Sequence, residues 1–209
     1  MSTEVFKQGS VEWHLARCGK VTASRIDGII ATTKTGYASS RHNYMAELIA
    51  ERLTGVPADS YSSPAMKWGT ETEPPARDAY AFHTGADVTE IGFVFHPTIP
   101  ESGASPDGLV GEHGLVELKC PNTATHIETL LGASVPRKYV SQMQWQMACT
   151  GRDWCDFASF DPRMPEDMRL FVRRLERSPS EIKALEFAVL EFLDELQAKI
   201  EKLQNSVSQ

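Results

Sequence analysis

The chain has 209 residues, 41% of them apolar and 23% charged. That is enough for one domain with a full hydrophobic core, and its apolar runs are too short to span a bilayer. The first ten residues, MSTEVFKQGS, lack the basic region and apolar stretch of a secretory signal, so a cytoplasmic protein without membrane association is expected. The net charge of −7 argues against a general polyanion binder, although Lys7, Arg17, Lys20, Arg25, Lys34 and Arg41 make the first part of the chain comparatively basic. The cysteines Cys18, Cys120, Cys149 and Cys155 form no Cys-x2-Cys pair, which argues against zinc and fits reduced thiols.

In chain order, residues 1–10 read as a loose arm. From Trp13 to Ala31 a short helix and a turn precede a helix from about Ser24, with Thr22 or Ser24 as its cap. A helix start with a hydroxyl and Arg17 nearby would also suit a phosphate; for Ser24 alone the cap is the simpler reading. Thr32 to Ser39 is a polar loop carrying Lys34, a solvated lysine or a contact to a polyanion backbone. A helix over 40–53 shows an apolar face at Tyr44, Leu48, Ile49 and Leu53, and Gly55 stops it. The next helix, within 65–84, starts near Trp68-Gly69, with Pro74-Pro75 confined to its first turn and Glu73 complementing its dipole.

Three strands follow, at 90–96, 103–110 and 115–120. The last two form a hairpin, ASPDGLVGEHGLVELKCP, over 104–121. Alternation places Glu117 and Lys119 on one face while Val116 and Leu118 enter a core. The Pro-Asp-Gly turn brings Asp107 beside Glu117. Two carboxylates and an ammonium on one sheet face are costly as packing, but they suit a divalent hard cation held by Asp107, Glu117 and the Leu118 carbonyl. Such a site suits hydrolysis of a phosphodiester, with Lys119 orienting the water or drawing off its proton. A surface hairpin with solvated charges is the competing reading.

Residues 122–133 read as irregular or weakly helical. A helix over 136–150 carries Val140, Met143 and Met147 on one side. Gln142 lies one position off that stripe, as a surface residue or as a group orienting water or phosphate without competing for metal; Gln144 is the weaker candidate. Strands at 154–160 and 170–176 flank an Asp161-Pro162-Arg163 turn, where Arg163 faces a phosphate or a neighbouring carboxylate. Ser178-Pro179-Ser180-Glu181 is a capping box. The helix it opens runs from about 179 to 204, with a stripe of Ile182, Leu185, Val189, Phe192, Leu196, Ile200 and Leu203 that covers its own core or a partner chain. The order of elements predicts a mixed α/β fold in a single domain, 1–209.

Ser105-Pro106-Asp107-Gly108 followed by Glu117-Leu118-Lys119-Cys120-Pro121 resembles the YqaJ-type, lambda-exonuclease-like phage recombination exonucleases, of the restriction-endonuclease-like nuclease superfamily. The blocks from Trp13-His14 and Arg17 to Val21-Thr22-Ala23-Ser24, from Trp68-Gly69 through Glu73 to Ala76-Arg77, at Tyr139 with Gln142 and Gln144, and at Asp161-Pro162-Arg163-Met164 occur in the family's order. The resemblance implies a restriction-endonuclease-like core and a Mg2+-dependent 5′→3′ exonuclease that digests one strand from double-stranded DNA ends, leaving 3′ overhangs for recombination by strand annealing. It implies two Mg2+ ions, with Mn2+ as a substitute, and Glu73 beside the metal. Gln142 lies close to the nucleophile, and Arg17, Ser24 and Ser105 hold the 5′ phosphate. Met66 either wedges at the duplex end or is a core methionine. It further implies a homotrimeric ring, a phage single-strand annealing protein as partner, and the host bacterial cytoplasm as location. A structure-specific endonuclease on the same core, or a noncatalytic recruitment module, are the alternatives.

Overall fold

The computed structural model describes residues 6–58 and 63–207. Residues 6–10 are tied down: Gln8 donates to the carbonyls of Ile91 (3.0 Å) and Pro106 (2.9 Å). The rest of the expected arm lies outside the described residues. Ser10 caps helix α1 (Val11–Arg17) by accepting from the Trp13 amide. Strand β1 (Val21–Thr22) leads through a single 3-10 turn, Ala23–Arg25, into helix α2 (Ile26–Ile30). Neither Thr22 nor Ser24 caps this start with its side chain; the tight turn takes the place of the expected capped helix. The polar loop is a small hairpin, β2 (Thr32–Thr33) and β3 (Gly36–Tyr37), with Lys34 exposed in its turn.

Helix α3 (Ser39–Thr54) ends at Gly55, whose φ of 69° a residue with a side chain adopts only under strain. Its Tyr44 and Leu48 are buried, while Leu53 is exposed. Helix α4 (Pro64–Thr84) starts at Ser63, which accepts from the Met66 amide, not at Trp68-Gly69. Pro74 and Pro75 therefore stand in its middle, contrary to the expectation of a first-turn position. Both are exposed, as are Thr70 and Glu71, whose carbonyls lose an amide partner. Those carbonyls lie on the side open to water, and the opposite side buries Ala76 and Tyr80.

The three expected strands are five short ones in two sheets. Strands β4 (Val88–Thr89), β7 (Gly108–Val110) and β8 (Gly114–Lys119) join β9 (Trp154–Phe160) and β10 (Leu170–Glu176) in the order β10-β9-β8-β7-β4. Strands β5 (Val94–Phe95) and β6 (Ser102–Ala104) pair with β1 in a second sheet. The chain leaves that sheet at Ser105-Pro106, so 103–110 cannot be one strand. In the larger sheet β8 is parallel to β9 and antiparallel to β7.

Residues 122–133 form a regular helix, α5 (Thr123–Gly132), which Asn122 caps by accepting from the Thr125 amide at 2.9 Å; the weak-helix expectation missed this cap. Helix α6 (Arg137–Thr150) packs Met143 and Met147 on Leu115, Cys155 and Phe157. Helix α4 covers the opposite sheet face, where Ala76 and Tyr80 meet Val110, Val116, Leu118 and Ala158. Helix α7 (Pro179–Val207) buries most of its stripe against α2, α3 and α6, so the stripe covers its own core and only Leu203 is exposed. Half of the capping box forms: Ser178 Oγ accepts from the Glu181 amide, but the Ser178 amide donates to Gln144 Oε1 (3.0 Å) and not to Glu181. Gln144 thus joins α6 to the start of α7.

Candidate active site

Strand β8 is the centre of the larger sheet, and its alternation builds the site. Val116 and Leu118 enter the core under α4, while Leu115, Glu117 and Lys119 face α6. Glu117 is fully buried. A carboxylate in that position is tolerated only with strong donors around it, and three are present. Its Oε1 accepts from Lys119 Nζ and from Gln142 Nε2 (2.6 Å), and its Oε2 accepts from Gln146 Nε2 (2.5 Å).

Asp107 stands in the turn before β7, half-buried, and its Oδ2 accepts from the Leu118 amide at 2.7 Å. The glycine after it is required: a Cβ at Gly108 would come within 2.3 Å of Val88 Cγ1, and 3.1 Å of Val116. Burial pushes the Asp107 carboxyl well above the usual carboxylate range, and Glu117 and Glu73 add to the shift; Lys119 and the Leu118 amide oppose it without cancelling it. Burial would lower Lys119, but Glu117 and Asp107 outweigh it and hold it above its ordinary value. The two carboxylates thus favour the charged, donating form of Lys119.

Glu73 lies on α4 within the same group. Burial raises it, Arg77 pulls it down and Glu117 pushes it up, with a net upward shift. Arg77 bridges Glu73 (2.7 Å) and Glu90 (2.8 Å).

Asp107, Lys119 and Glu73 reach a cleft of about 410 Å³ between α4 and α6, at the C-terminal end of β8, while Glu117 is buried beside them. Met66, Gly69, Thr70 and Glu73 form one wall, and Asp107, Leu118, Lys119 and Tyr139 stand opposite. Among the described residues no three His, Cys, Asp or Glu side chains converge as a ready-made metal cage. The donor set still fits a hard cation: mutually repelling buried carboxylates, a strand-end carbonyl, and room for the several waters that Mg2+ retains.

The other sequence candidates divide. The Arg17 guanidinium stacks 3.8 Å over the Trp13 ring, and Trp13 Nε1 donates to Ser105 Oγ at 2.9 Å. Trp13 thereby joins Arg17 to the turn that carries Asp107. Ser24 is exposed, its hydroxyl 3.5 Å from Thr22 Oγ1; among the described residues no hydrogen bond joins it to Arg17 or Ser105. Met66 is on the cleft wall and 53% exposed, so it is not a core methionine. Arg163 meets a carboxylate: it donates to both oxygens of buried Asp161 (2.7 and 3.0 Å) and stacks 4.5 Å over Trp68. Burial pulls Asp161 up, but Arg163 and Thr123 hold it at about 2. Sequence reading missed Gln146, although its spacing of four from Gln142 puts both on one helix face.

A model of the YqaJ-like viral recombinase domain matches residues 12–153. Among solved structures, the chain is 53% identical to an alkaline exonuclease, LHK-Exo, from Laribacter hongkongensis, with 95% of this chain and 98% of that one covered and a TM-score of 0.88. The same coverage and identity hold for LHK-Exo in complex with dAMP, with a TM-score of 0.89. A phage-related exonuclease from Haemophilus somnus 129PT, 17% identical over 88% of this chain and 96% of that one, shares the fold with a TM-score of 0.72. No curated protein matches. Among the described residues no helix is long and apolar enough to cross a membrane. The mixed sheet between helices is the restriction-endonuclease-like nuclease fold of the alkaline exonuclease. With the family model spanning most of its length, this chain belongs to the YqaJ-like viral recombinase family.

Proposed function

We propose that the protein is a Mg2+-dependent exonuclease that digests one strand of double-stranded DNA from its ends in the 5′→3′ direction, leaving 3′ single-stranded overhangs for annealing. The observation that carries this reading is that Asp107, Lys119 and Glu73 line one open cleft, with Glu117 buried beside them and held by Lys119 and Gln142. Its membership of the YqaJ-like family and its 53% identity to an alkaline exonuclease support the choice of DNA as substrate. The dAMP complex of that relative supports release of mononucleotides.

Asp107, Glu117 and the Leu118 carbonyl would hold Mg2+, with Mn2+ as a substitute and a second ion in the same group. A metal bound there would supply Lewis acidity to the phosphate and a more acidic water. The protein does the rest. Lys119, as an ammonium, donates to the nucleophile or to a phosphate oxygen. Gln142 fixes the geometry through Glu117 without competing for the cation. Glu73, held by Arg77, adds a carboxylate from the facing wall of the cleft. Arg17 and Ser105, joined by Trp13, and Ser24 would hold the 5′ phosphate, and Met66 would meet the terminal base pair. Lys34, and Arg163 beyond its pairing with Asp161, would be outer DNA contacts.

A closed homotrimeric ring would keep the enzyme on its strand despite the acidic net charge, because it encloses DNA topologically instead of by phosphate contacts alone. A phage strand-annealing protein in the host cytoplasm is the proposed partner. The test is digestion of linear and covalently closed duplexes with Mg2+ and with chelator. Loss of linear DNA alone, and only with metal, is expected. Cutting of closed circles would mean an endonuclease, and no cutting of either a noncatalytic module.

A further inference from the structure

Glu117 is held more completely than a metal ligand needs for its own stability, and the donors divide unequally between its two oxygens. Oε1 takes two, from Lys119 and Gln142. Oε2 takes one, from Gln146 at 2.5 Å. A carboxylate oxygen accepts about two hydrogen bonds or ligands, so Oε1 is filled and Oε2 retains one free lone pair. Gln146 itself is fully buried. The Cys155 thiol, 3.9 Å away, faces its Oε1, which leaves the amide nitrogen turned to Glu117. A fully buried glutamine that spends its amide on one carboxylate oxygen is costly unless that geometry matters.

We propose that Gln146 is a positioning residue for the metal site: by occupying one lone pair of Glu117 Oε2, it aims the other at the cation. This rests on the reading of Asp107 and Glu117 as metal ligands. It gives the two glutamines of α6 different tasks. Gln142 shares its oxygen with Lys119 and stands where the nucleophile is handled. Gln146, one turn further on, touches neither cleft nor substrate and acts only through Glu117. Groups that orient a ligand from behind are worth about 10- to 100-fold in metal affinity.

The probe is Mn2+ alone, its binding to the full chain without DNA measured by electron paramagnetic resonance and by titration calorimetry. Gln146→Met keeps the length of the side chain and removes the donor; Gln146→Asn keeps the amide but cannot reach. Both should weaken Mn2+ binding about 10- to 100-fold and raise the Mg2+ concentration giving half-maximal cleavage by a similar factor, while metal-free binding to DNA ends is unchanged. A folded variant of either kind with wild-type Mn2+ affinity would overturn the proposal and leave Gln146 a packing residue. If the wild type bound no Mn2+, or Asp107→Ala bound it normally, the metal-site reading itself would fail, which is a separate outcome. If Gln146→Met does not fold, Gln146→Asn decides.

Discussion

The amide of Leu118 donates to Asp107 Oδ2 at 2.7 Å, tying the turn before one strand to the C-terminal end of the next. Asp107 is thereby fixed by the backbone of the strand that carries Glu117 and Lys119. The acceptor is the Asp107 side chain, so its substitution removes this bond while the pairing of β8 with β7 and β9 keeps the strand in place. Asp107→Ala should abolish cleavage with the fold intact, and so should Glu117→Ala. Near-normal rates in either folded variant would remove both from the site.

A charged Asp107 among other carboxylates is held at a cost. Its folded-state pKa lies above the unfolded value, so the folded state binds its proton more tightly and stability falls as pH rises from the unfolded toward the folded pKa. Asp107→Asn keeps an acceptor for the Leu118 amide and removes the charge. In chelator it should raise stability by on the order of 1 kcal/mol at pH 8, and the gain should shrink as pH falls toward the unfolded carboxylate pKa near ~4. Thermal melts at several pH values check this; a destabilised variant at pH 8 would contradict the charge argument.

The same shift would govern metal uptake at the proposed site. A metal competes with protons for Asp107 and Glu73, both raised, so Mn2+ affinity should climb with pH beyond the usual carboxylate range, giving an alkaline preference. Flat affinity from pH 5 to pH 9 would contradict it.

Lys119 donates to Glu117, a proposed metal ligand, so Lys119→Met should lower turnover by about 100-fold or more while DNA binding persists. Lost DNA binding with unchanged single-turnover cleavage would make it a phosphate contact instead.

Arg17 can hold a phosphate through two parallel hydrogen bonds, which lysine cannot reproduce. Arg17→Ala and Arg17→Lys should slow 5′-phosphorylated ends more than 5′-hydroxyl ends. Trp13→Phe keeps a ring under Arg17 but removes the donor to Ser105, and should give a milder loss of the same kind. Equal slowing on both ends would place Arg17 elsewhere.

The parts that could be read from sequence are those set by local rules. Alternation along β8 separated Glu117 and Lys119 from Val116 and Leu118, and the bounds of β9 and β10 followed from apolar runs between turn residues. Other parts depend on tertiary context. Pro74 and Pro75 stand mid-helix because α4 starts earlier, at Ser63, and its exposed side leaves their orphaned carbonyls in water. The break of 103–110 into two sheets follows from β6 pairing with β1, some eighty residues away. The Trp13 link to Ser105 spans a similar distance. Gln146 could have been found, since spacing of four aligns it with Gln142, but its role appears only once α6 lies against β8.

The proposed activity is metal-dependent removal of nucleotides from 5′ ends at the cleft lined by Asp107 and Lys119. Its most direct measurement follows release of label from linear duplex DNA carrying a 5′-terminal ³²P phosphate, in Mg2+, by the wild type and by Glu117→Ala. The account predicts early release as mononucleotide by the wild type and none by the variant. Release from 3′-labelled ends first, or equal release by Glu117→Ala, would contradict it.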